Sequence, residues 1–129
     1  MDATNFDAAS GYFTFVLPGA PLTTNSSQDE LTQARNTLQQ QTQGQPFPIP
    51  PNMPVGLEVV FLYETRNDVP AVMDRQTIAR ELTLGILYDD NSDVCSKSVM
   101  GMPAPQGREP GTTIRVRVLE EGDMPQPDF

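Results

Sequence analysis

Asp89, Asn91 and Asp93 occupy the first, third and fifth places of a calcium-loop-like run, Asp89-Asp-Asn-Ser-Asp93. The pattern stops there, because Val94 stands where the turn glycine belongs and Met100 where the bidentate glutamate would close the loop. A polar turn is the better reading, since Asp, Asn and Ser bond their own backbone. The chain has no histidine and one cysteine, Cys95, which leaves no zinc ligand set and no partner base for a thiolate nucleophile. Any catalysis would rest on carboxylates, tyrosine, Cys95 or Lys97, and no spacing sets two carboxylates in a recognisable pair. Gly101 and Gly107–Gly111 match neither a Walker loop nor a dinucleotide fingerprint. The expectation is a protein that is not an enzyme and that holds no metal or cofactor.

The charge balance points the same way. Eight Lys and Arg against seventeen Asp and Glu leave a net charge of −9, whereas a nucleic-acid surface needs clustered cations. Arg115 and Arg117 alternate along one segment, and a solvated face or a salt bridge to Glu58 or Glu64 on a neighbouring strand explains them better than an anionic ligand does. No apolar run approaches 18 residues, so no membrane span is expected. The amino end has no basic and then apolar signal pattern, so secretion is not expected either. A single cysteine cannot form an internal disulfide and fits a reducing compartment such as the cytoplasm.

The elements that would carry these residues can be read in order. A chain of 129 residues suits one domain, 1–129. Residues 1–11 are small and polar with Phe6 as an anchor, and read as an arm. Tyr12–Leu17 is aromatic and β-branched, a strand whose Phe13, Phe15 and Leu17 face the core. Ser27-Gln-Asp-Glu30 is a capping box opening a helix over about 28–41, with Leu31, Ala34 and Leu38 on a narrow apolar face. The connector 44–54 is proline-rich and extended, with Phe47, Ile49 and Met53 interleaved as apolar anchors.

Val55–Glu64 is the most apolar stretch. Leu57, Val59, Phe61 and Tyr63 form one face, while Glu58, Val60, Leu62 and Glu64 form the other, the pattern of a central strand. Residues 71–80 are ambiguous between helix and strand. Glu81–Tyr88 alternates as a strand, placed beside Val55–Glu64 together with 112–119, and Gly85 in it marks a bulge or a close backbone approach. Lys97–Gly111, with three prolines, reads as a long loop of the kind that is functional or ordered by a partner. Thr112–Glu120 is a half-exposed strand, and 121–129 an acidic tail.

These elements make a mainly β fold, a sandwich or barrel-like antiparallel sheet over residues 12–120 with one short helix and long proline-rich arms. The function expected of it is that of a non-enzymatic structural subunit of a large assembly, with other protein subunits as partners. The narrower expectation is a virion decoration, cement or head–tail joining protein, assembled in a host cytoplasm. The alternative is a cytoplasmic adaptor binding through 46–54 or 97–111. Partner contacts are assigned to Phe6, Phe47, Ile49, Met53, Met102, Met124 and Phe129.

Overall fold

The computed structural model describes residues 6–7, 11–42, 53–88 and 93–119. Strands β1 (Phe6–Asp7), β2 (Tyr12–Pro18), β3 (Pro54–Tyr63), β4 (Asp93–Pro103) and β5 (Gly111–Val118) form one sheet in the order β1-β2-β5-β3-β4. Helices α1 (Gln28–Gln41) and α2 (Val72–Thr83) accompany it. β5 runs antiparallel to both β2 and β3, so those two are parallel to each other with β5 inserted between them. β3 and β4 pair directly in parallel, and α2 lies between them in the chain as a crossover helix.

The strand-rich reading therefore holds, but the sheet is mixed. The described strands make a single sheet, and the layer packed on it is helical. The reason lies in residues 71–88. Ile78, Ala79, Leu82 and Thr83 are buried along one stripe of α2, a helical spacing. The apparent strand 81–88 is instead the end of that helix followed by a tight turn. Gly85 adopts φ +86° there, and its N–H donates to the Tyr88 carbonyl at 2.9 Å while Leu87 N–H returns to Thr83 at 3.0 Å. Leu87 is as fully buried as Leu82, so the period-two alternation in this stretch does not sort inside from outside.

The second correction concerns 97–111, where β4 extends to Pro103 and leaves only 104–110 as loop. Ser96, Lys97 and Ser98 are weak strand formers, and they are extended because β3 offers ten consecutive pairing positions, from Pro54 with Asp93 to Tyr63 with Pro103. The neighbours of β3 are thus β4 and β5, and only the latter matches the expected pair 82–88 and 112–119.

Other expectations agree with the structure. α1 spans Gln28–Gln41 with its capping box formed: Ser27 Oγ accepts from Glu30 N–H, and Glu30 Oε1 accepts from Ser27 N–H. Phe15, Leu17, Leu57, Val59, Phe61, Tyr63, Ile114 and Val116 meet Leu38 of α1 and Ile78, Ala79 and Leu82 of α2 in one core. Arg35 of α1 donates to the Glu81 and Leu84 carbonyls at 2.5 and 2.9 Å, placing a cation on the carbonyl end of α2.

Candidate docking face

The core takes its sheet residues from one face only. In register, Phe15 meets Ile114, which meets Val59, which meets Val99, and all of these lie on the helix side. The alternate set projects the other way: Tyr12, Thr14 and Val16 on β2, Arg115 and Arg117 on β5, Glu58, Val60 and Leu62 on β3, Ser98, Met100 and Met102 on β4. Among the described residues no helix packs on this face. Val16 is 52% exposed and Met100 46%.

Its centre is apolar and its flank charged. Leu62 lies beside Met102 and Val60 beside Met100. On the β2 side, Arg115 Nη1 sits 3.6 Å from Glu58 Oε2, one of the arrangements the sequence left open. The same guanidinium lies 4.2 Å from the Tyr12 ring centroid and that of Arg117 lies 5.1 Å away, so the arginines are stacked as well as paired. The Glu58–Arg115 bridge is about a third exposed on each side and contributes little stability, since pairs of this kind are worth roughly 0–1 kcal/mol.

Two of the seven residues assigned to partner contact have described side chains. Met102 is half-buried on this face. Met53 is exposed just before β3, at the opposite end of the sheet from Met102. Phe6 is placed by its backbone, which pairs with Phe13. Phe47, Ile49, Met124 and Phe129 lie outside the described residues, as do the connector prolines up to Pro51 and Asp89–Ser92. The residues that reading missed are Val16, Val60 and Met100. For Val16 and Val60 a signal existed: each is an apolar member of the outward set of a strand already recognised. Met100 fell in the segment taken as loop.

A hollow of about 270 Å³ opens between α1 and the turn 18–22, lined by Leu17, Pro21, Leu22, Gln33, Ala34 and Leu82. Its edge includes Glu30, whose carboxylate is held in the capping box, and Thr37, whose hydroxyl donates to the Gln33 carbonyl at 3.0 Å. Among the described residues no three His, Cys, Asp or Glu side chains gather to hold a metal ion.

No family profile, curated protein or solved structure matches this chain. What can be said of function rests on the geometry.

The perturbed titrating groups belong to the core and lie away from the open face. The Tyr63 hydroxyl donates to the Leu22 carbonyl at 2.7 Å, and burial pushes its pKa up to about 12, with Arg75 lowering it and Asp68 raising it by smaller amounts. Burial likewise raises the Tyr88 phenol, against the opposing effect of its 2.9 Å hydrogen bond with Thr83. A raised folded-state pKa means that the unfolded chain releases the phenolic proton first. The Tyr63 contribution is therefore intact below about pH 10 and is lost as pH rises to about 12. Tyr63→Phe is expected to cost about 1 kcal/mol near pH 7, through the lost hydrogen bond. The substitution is also expected to flatten the fall in stability between those pH values, as measured by denaturant titration across the alkaline range.

Proposed function

We propose that the chain is a non-enzymatic structural subunit of a large protein assembly, and that neighbouring subunits pack on the open face of its sheet. The observation that supports this is the row Val60, Met100 and Met102 on β3 and β4, which flanks the buried Leu62 and is continued by exposed Val16 on β2. Apolar side chains gathered on one side of a sheet, with stacked and paired arginines beside them, have the make-up of an interface core with a polar rim. A neighbour seated there supplies the second layer of a sandwich, so that the sandwich arrangement belongs to the assembly. Among the described residues no helix is long and apolar enough to cross a membrane.

The narrower form of the proposal is a virion decoration, cement or head–tail joining protein, assembled in a host cytoplasm. Its support is analogy: a small acidic β-rich domain with proline-rich connecting segments suits a subunit that clamps others.

Hydroxyl-radical labelling tests the reading on the chain alone and on the chain recovered with its native partners. Val16, Val60, Met100 and Met102 are expected to lose reactivity in the recovered complexes. Met73, 79% exposed on α2, is expected to keep it. Equal labelling of Val60 and Met102 in both samples, or recovery of the chain only as a monomer, overturns the proposal.

A further inference from the structure

The two edges of the sheet are treated differently. On the β2 side, β1 covers Tyr12 and Phe13. Farther along that strand, the Gln41 side chain bonds both backbone groups of Val16, accepting from its N–H at 3.2 Å and donating to its carbonyl at 2.6 Å. That amide acts as a one-residue substitute for a neighbouring strand. On the other side, β4 is the longest strand, at eleven residues. Its inner edge is bonded to β3, and among the described residues nothing pairs with its outer edge. Ser96, Lys97, Ser98 and Met100 along it are exposed. A row of free backbone donors and acceptors is a template for another strand.

We propose that the outer edge of β4 pairs with β4 of a second copy of this chain, antiparallel and centred on Val99, joining the two sheets into one. This rests on the assembly reading and names the neighbour at this edge. The residue pattern around Val99 is what selects a second copy. Antiparallel pairing about that residue sets Ser98 opposite Met100, Lys97 opposite Gly101 and Ser96 opposite Met102, each twice by symmetry. Val99 thus faces its own copy, each methionine meets a serine, and the one lysine faces a residue with no side chain. The stretch that can pair is itself centred on Val99. On one side it ends at the bulge where Val94 and Ser96 pair with successive β3 residues and Cys95 is the extra one; on the other it ends at Pro103, which has no N–H to donate.

A two-fold axis perpendicular to the sheet keeps both helical layers on one side and brings Met100 and Met102 of the two copies into one apolar strip on the other. Charge opposes the pairing. Each copy carries −9, and Arg75 lies against Gly101, where Lys97 of the second copy arrives. Both repulsions are screened by salt, so the dimer fraction is expected to rise with ionic strength.

The test uses the full chain. Sedimentation velocity across protein and salt concentration is expected to show a monomer–dimer equilibrium that shifts towards dimer as salt increases. In a Cys95→Ser background, Ser98→Cys and Met100→Cys are made separately, both at exposed positions that leave the core intact. Under mild oxidation a mixture of the two is expected to form cross-chain disulfides several-fold faster than either alone, because only the mixture sets the two thiols directly opposite one another. A monomer under all conditions, or cross-linking without preference for the mixture, overturns the proposal. If Val60 and Met102 are protected in native complexes but the mixture shows no preference, edge pairing fails and the assembly reading stands. If the mixture cross-links preferentially but labelling is unchanged on the open face, edge pairing stands and that face is not where neighbours pack.

Discussion

Phe61→Ala is expected to lower the unfolding free energy by about 3–5 kcal/mol, read from denaturant titration. Phe61 is fully buried near the C-terminal end of β3, in register with Thr112 on β5 and Gly101 on β4, and its ring lies 6.1 Å from that of Tyr63. Both flanking positions are held in pairing on either side, so the surroundings have little freedom to collapse into the space an alanine leaves. Domains of this size are stable by roughly 5–15 kcal/mol, so the loss would be a large share of the total. Met100→Ala is the control from the open face of the neighbouring strand. Its side chain is 46% exposed, and its effect on the isolated chain is expected to stay within about 0.5 kcal/mol.

Leu38→Ala is expected to cost about 2–5 kcal/mol, with faster amide exchange in α1 than in β3 or β5. Leu38 is the buried residue of α1; beside it the helix is attached by the small, partly buried Ala34 and by polar contacts, Arg35 to the end of α2 and Gln41 to the backbone of β2. The helix has a narrow apolar face, so most of its burial rests on this one side chain. A loss spread evenly over all amides, with no excess in α1, would mean that α1 opens only with the whole sheet.

Several features of the fold were legible because their signals are local. The capping box of α1 uses two side chains three residues apart and needs no tertiary information. The inward sets of β2, β3 and β5 alternate cleanly because each of these strands buries one face and leaves the other partly open. The Glu58–Arg115 bridge followed from the same alternation once the two strands were taken as neighbours. Residues 81–88 misled for the opposite reason. Leu82, Leu84, Ile86 and Tyr88 alternate in type, but a helix end and a glycine turn bury Leu82, Ile86, Leu87 and Tyr88 alike. Of the candidate face, Val16, Val60 and Leu62 could be found from their strands, whereas Met100, and the placing of Met102 beside it, depended on a strand whose own residues scarcely announce it.

Composition by itself determined the chemistry the chain has to work with: no histidine, one cysteine and a strong acidic excess. Periodicity determined the central strand, its two flanking faces and the first helix, since each is written within a span of a few residues. Only the tertiary structure decided that β4 is a strand at all, that it runs parallel to β3, and that both helices lie on the same side of the sheet. Those outcomes come from pairing and burial between residues about forty positions apart, as Val59 and Val99 are. The energy that settles such long-range contacts has no counterpart in any short stretch of the chain.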